Sequence, residues 1–194
     1  MIAKSTNYFC ALTLIVLMGS SSESFAENVP PPPPEVKKTV DAFAGHWTLN
    51  GSATEPDSKT ASPVRATIDC KSAARGAAVN CLIGADVSGS RIEAAAVIGY
   101  SPDERSVRWM EISSSGEYHN HRGPWRGETI QFEPLSYTVG GAKMIEYFMI
   151  SFQSPDKMDF KATTKTPEGT SRLKLVGTRM HPGASVVPSD VPEG

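Results

Sequence analysis

Along most of the chain, apolar and polar side chains alternate with a period of two, in short runs broken by glycine, proline and serine. Val64, Ala66, Ile68 and Cys70 alternate with Arg65, Thr67 and Asp69, so the even positions of that run form an apolar face. Comparable runs lie near 46–53, 63–71, 77–84, 90–100, 106–113, 117–125, 128–137, 143–153, 157–165 and 170–180. Turn-forming pairs separate them, among them Arg75-Gly76, Ser88-Gly89, Arg126-Gly127, Gly140-Gly141 and Glu168-Gly169. About ten short strands in sequence order predict an all-β, up-and-down antiparallel barrel, since closure removes exposed edges. A two-sheet sandwich is the rival architecture.

The pattern changes at both ends. Residues 1–26 read as a signal peptide: Lys4 supplies a positive start, Phe9 to Met18 an apolar run, and Ser24-Phe25-Ala26 a small-x-small cleavage pattern. The run is shorter than the ~20 apolar residues a membrane span needs, so cleavage after Ala26 and a periplasmic or secreted protein are expected. Residues 27–34 form a Pro-rich spacer. Val36, Val40 and Phe43 then repeat at i, i+4 and i+7, which predicts a short N-terminal helix. The barrel domain is placed at 35–181, and the Pro-, Gly- and Ser-rich segment 182–194 reads as a disordered C-terminal tail.

Charge narrows the partners. With 19 basic and 21 acidic residues and no dense basic block, neither nucleic acid nor an anionic lipid surface is expected as a partner. Of three cysteines, Cys10 falls in the signal, leaving Cys70 and Cys81. A tight turn at Arg75-Gly76 pairs positions summing to 151, which sets Cys70 opposite Cys81. Opposed Cβ atoms lie ~4.5–5.5 Å apart, close to disulfide range, and a buried cross-strand disulfide is predicted.

The same arithmetic treats the stretch Gly116 to Trp125, which holds His119 and His121. A turn at Ser114 to Gly116 pairs His119 with Glu111 and His121 with Trp109. The Arg126-Gly127 turn then sets His121 against Phe132 and Gly123 against Ile130. Both histidines point inward on this reading, while Tyr118, Asn120 and Arg122 face out; a register error of one residue would reverse this.

Phe43 to Leu49 reads as a helix end running into Gly45-His46-Trp47, and the last strand ends Gly177-Thr178-Arg179. This pairing resembles the calycin superfamily of lipocalins and fatty-acid-binding proteins. The resemblance implies that Arg179 covers the Trp47 indole by cation–π stacking at the closed end of a barrel, with Gly45 opening the first strand. Gly99-Tyr100-Ser101-Pro102 and Gly123 to Gly127 resemble signatures of a bacterial family of unknown function, DUF1579, over roughly residues 38–180. Neither resemblance implies an enzyme. Both imply a barrel whose interior holds a small, largely apolar ligand. Heme-binding nitrobindins share the architecture and use a histidine near the chain's end, where this chain has His181, but their glycine-rich opening motif is absent here.

No nucleophile elbow, P-loop or dinucleotide fingerprint occurs. The leading expectation is non-catalytic binding of a small hydrophobic or amphipathic molecule, lined by Trp109, Glu111, His119, His121 and Phe132, with Trp125 near the end of its strand. One alternative is a metal- or heme-dependent enzyme, with zinc or copper on His119, His121 and Glu111; acid–base catalysis by Glu111 with His121 is a separate enzymatic reading. Another is an envelope interaction protein whose barrel is filled. Met110, Met144, Met149 and Met158 are expected to be core. His46 has the parity of the outer face.

Overall fold

A computed structural model describes residues 31–181, apart from residues 57 and 88. The predicted signal peptide, residues 27–30 of the spacer and the tail lie outside the described residues. The first element is a helix, α1 (Pro34–Phe43), which begins on proline, where the absent N–H costs nothing. Its buried face carries Val36, Thr39, Val40 and Phe43, the repeat expected from the sequence.

Twelve strands follow: β1 (Gly45–Thr54), β2 (Ala61–Ala73), β3 (Ala78–Val87), β4 (Ser90–Ser101), β5 (Ser106–Ser113), β6 (Tyr118–Gly123), β7 (Trp125–Arg126), β8 (Thr129–Gln131), β9 (Leu135–Val139), β10 (Ala142–Ser154), β11 (Lys157–Thr166) and β12 (Gly169–Met180). They form one antiparallel sheet in the order β6-β5-β4-β3-β2-β1-β12-β11-β10-β8-β7, with β9 also paired to β10. The sheet curls into a nearly closed barrel. The count exceeds ten because two expected strands are each divided. Pro124, which has no N–H to give a ladder, separates β6 from β7. Residues 132–134 separate β8 from β9.

Parity sorts the side chains as the alternation predicted. Val64, Ala66, Ile68 and Cys70 on β2, with Val79 and Cys81 on β3, are all buried. Cys70 pairs with Cys81 and the two form a disulfide. At the end closed by α1, here called the floor, Phe43, Trp47, Trp109, Phe132, Phe148 and Phe152 pack edge to face or stacked, with ring centroids 4.2–6.4 Å apart. Trp47 is cross-strand partner to Arg179, whose guanidinium lies 4.6 Å from the indole centroid. Arg179 Nη2 also donates to the carbonyls of Asp41 and Ala42, at 2.8 and 3.1 Å. These are free carbonyls at the end of α1, so one arginine fastens the helix to the floor. Gly45, at φ +110°, lets the chain turn from helix into β1 beside Arg179.

Two expectations need correction. The β7–β8 turn is Gly127-Glu128, with Gly127 at φ +59°, so Trp125 rather than Gly123 faces Ile130. A two-residue shift preserves parity, which is why the faces were still right. Met110 is not core: it lies 40% exposed on the outer face, and Met149 is only half-buried, whereas Met158 is buried as expected. Met110 flanks an outward apolar row in which Leu82, Ala95, Ile112 and Tyr118 are successive cross-strand partners on β3 to β6. Leu82, Ile112 and Tyr118 are 69%, 54% and 60% exposed.

Between β6 and β9 the ladder does not close. There the wall is joined by a hydrogen bond from the Glu133 amide to the Arg122 carbonyl (2.8 Å) and by the Arg122–Glu133 ion pair (2.6 Å). We call this line the seam.

Candidate functional site

Three polar side chains converge inside the barrel at the seam. His119 and His121, two apart on β6, share the inward face because strand side chains repeat every two residues. Their cross-strand partners on β5 are Glu111 and Trp109, as the sequence arithmetic set them. From across the seam comes Glu146 of β10. Its Oε2 lies 3.6 Å from His119 Nδ1 and 3.6 Å from His121 Nε2. One ligand-type atom from each of the three residues falls within 4.8 Å of the others.

The cluster is buried. His121 is 4% exposed, and the Glu146 side chain 17%. His121 rests on Phe148 (centroids 5.0 Å) and Phe132 (6.0 Å), while His119 lies against Tyr137 of β9 at 4.4 Å. His119 Nε2, His121 Nδ1 and Glu146 Oε2 have no hydrogen-bond partner in the protein. Buried polar atoms without partners are uncommon, and each is costly.

Burial acts differently on each group. Desolvation, and after it the neighbouring His119, lowers His121 to about 4, so its imidazole is neutral at pH 7. Desolvation, followed by the Glu111 and Glu117 carboxylates, raises Glu146 to about 7. Tyr137 is pushed up to about 12 by burial and then by Glu146 and Glu117. At 3.6 Å both contacts to Glu146 are longer than hydrogen bonds, and with His121 neutral its own contact is not a salt bridge.

Glu111 does not join this group. Its Oε2 accepts from the Trp109 indole N–H at 2.8 Å, and the histidines' near carboxylate is Glu146. Trp109 and Phe132 are each 3% exposed and packed into the aromatic floor, so they lie beneath the cluster rather than on an open surface. Trp125 faces α1, with its indole N–H donating to Thr39 Oγ1 at 3.0 Å. His181 is exposed beside Asp156 at the floor end (3.1 Å), whereas His119 lies near the start of β6 at the opposite rim. His46 is exposed.

Two openings flank the cluster. A cleft of about 390 Å³ at the rim is lined by His119, Glu117, Tyr137 and Val139, between the β5–β6 and β9–β10 hairpins. A smaller one, about 210 Å³, reaches His121 through the seam between Arg122 and Leu135. A groove of about 670 Å³ lies over the exposed apolar row outside the barrel.

Sequence reasoning found the histidines but not Glu146 or Tyr137. A signal for Glu146 was present: it shares the parity of Phe148, Ile150 and Phe152, a lone carboxylate on an otherwise apolar strand face. Which wall that face meets depends on closure across the seam.

No protein-family model matches the chain, and neither does any curated protein. Among solved structures, the chain is similar to an S-type phycobiliprotein lyase, CPES, from Guillardia theta. The TM-score is 0.51 at 15% identity, over 78% of this chain and 99% of that one. Weaker likenesses include a de novo designed fluorescence-activating β-barrel (TM-score 0.41, 15% identity, 73% and 96% covered) and the redesigned barrel mFAP1 bound to DFHBI (0.40, 12%, 74% and 98%). At such identities the likeness to the lyase establishes a shared barrel fold alone. Among the described residues no helix is long and apolar enough to cross a membrane.

Proposed function

We propose that the protein is a non-catalytic binder of a small amphipathic molecule, exported from the cytoplasm. The molecule's polar end enters at the rim and seam and meets His119, His121 and Glu146, with Glu111 and Tyr137 beside them. Its apolar part lies against the rim. The observation that carries this reading is the set of three buried, unpartnered polar atoms next to two openings in the wall. Trp109 and Phe132 act as a packed floor that excludes water from below. The predicted signal peptide and the Cys70–Cys81 disulfide support an oxidising, extracytoplasmic location.

A dansylated fatty acid tests the binding. We expect one probe per chain, with quenching of the Trp109 fluorescence, and weakening of at least about tenfold in Tyr137→Ala. A wild-type protein that takes up no probe overturns the reading. Export is tested by the mass of the mature chain: a product beginning at Glu27 is expected.

A second reading, an envelope interaction protein, is favoured by the apolar row on the outer face. If Leu82→Lys with Ile112→Lys abolishes the protein's function in cells while probe binding persists, this second reading replaces the first.

A further inference from the structure

We infer that His119 Nδ1, His121 Nε2 and Glu146 Oε2 form a mononuclear site for a divalent transition metal, of which zinc is the type. The inference rests on the reading that this cluster is a binding site, and it names what would hold the ligand's polar end there.

Geometry is the first argument. A tetrahedral ion with ligand bonds of ~2.0–2.2 Å separates its donor atoms by about 3.4 Å. Glu146 Oε2 stands 3.6 Å from each of the two imidazole nitrogens, and all three donor atoms lie within 4.8 Å of one another, so modest side-chain movements bring them onto three positions of one shell. The donors also come from both sides of the seam, two from β6 and one from β10, so a metal would tie the wall together where the strand ladder stops.

Charge is the second. Among the described residues, no lysine or arginine forms an ion pair with Glu146, and its Oε2 accepts no hydrogen bond. The Glu146 carboxyl oxygen buried between two imidazoles thus has no lysine or arginine to pair with, and Glu111, on the strand paired with β6, is engaged by the Trp109 indole. Donor chemistry is the third. Two imidazoles and one carboxylate suit zinc, cobalt, nickel, copper or iron, whereas calcium and magnesium prefer shells of oxygen alone. Three protein ligands leave at least one position for water or for the polar end of a bound molecule.

The test uses untagged mature protein stripped with chelator and dialysed. Titration calorimetry with zinc should show one equivalent bound, and magnesium should show none. Cobalt(II) should give the visible absorption of a low-coordinate nitrogen–oxygen site. His119→Ala, His121→Ala and Glu146→Gln should each lower zinc affinity at least about a hundredfold, beyond what losing an outer-shell partner usually does. The double variant His46→Ala with His181→Ala, which removes the two exposed histidines, should bind like the wild type. Glu146→Gln keeps the side-chain volume, and its near-ultraviolet circular dichroism reports whether the fold is intact.

The proposal is overturned if wild-type protein binds no zinc equivalent, if folded Glu146→Gln binds as tightly as wild type, or if the exposed-histidine variant loses the site. Probe uptake by the stripped protein separates the two readings. Uptake without any zinc binding leaves the ligand reading standing and removes the metal. Zinc binding without uptake does the reverse.

Discussion

Burial acts on Glu146 and His121 in opposite senses, holding a proton on the carboxyl and keeping one off the imidazole. In the metal-free chain, Glu146 sits near 7 against an ordinary 4.5, so its contribution to stability is lost as pH rises from about 4.5 to 7. His121 sits near 4 against 6.5, so its contribution is lost as pH falls from 6.5 to 4. The two slopes oppose each other across the shared window, and chelated wild-type protein should show nearly constant stability there. Removing one group exposes the other. His121→Gln should lose stability as pH rises, and Glu146→Gln as pH falls, each on the order of 2 kcal/mol across the window. Urea melts at pH 4.5, 5.5 and 6.5 read this directly; parallel curves for both variants would refute it. Gly123 offers a second residue-scale test. A Cβ there would lie 2.4 Å from the Gln131 carbonyl oxygen and 2.7 Å from Phe132 Cα, backbone atoms that cannot swing aside. Gly123→Ala should therefore part the seam, costing roughly 2–4 kcal/mol and speeding exchange of the Glu133 amide.

At the scale of elements, Arg179 is the joint between helix and sheet. It stacks on Trp47 and satisfies two carbonyls at the end of α1. Arg179→Met keeps the stem but loses both, and about 2 kcal/mol of stability should go with them. Arg179→Lys should recover little, because an ammonium neither stacks as a plane nor reaches two carbonyls in a fork; full recovery in a urea melt would show that charge alone matters. Elements were largely legible in the sequence. The period of α1, the parity of β2 and the sums pairing Cys70 with Cys81 and His119 with Glu111 depend on neighbours in the chain. Hairpins are local, and tight turns fix their register. The β7–β8 turn was misplaced because Gly127 can occupy either central position of a two-residue turn, and the sequence does not choose between them. The site was only half legible for the same reason. His119 and His121 are placed by a hairpin, whereas Glu146 reaches them through the curvature of the whole sheet, which no short-range pattern encodes.

At the scale of the molecule, the fold joins distant segments at one place and nearly parts adjacent ones at another. Trp47 pairs with Arg179, almost the full length of the described chain apart, along a continuous ladder. Arg122 and Glu133, eleven residues apart, mark the seam and share one backbone hydrogen bond. Contact order follows from this arrangement. The β1–β12 ladder is the most non-local pairing, and its formation must wait for the loop that contains everything else to close. A circular permutant opened at Pro124, with a flexible linker joining the β12 end to the start of α1, would run β7 to β12 and then β1 to β6. Nearly every ladder would then join strands adjacent in sequence, and the weak seam would become the long-range contact. Such a protein should refold at least several-fold faster than the native order in stopped-flow measurements while keeping the same barrel. An unchanged refolding rate would mean that the β1–β12 pairing forms after the rate-limiting step.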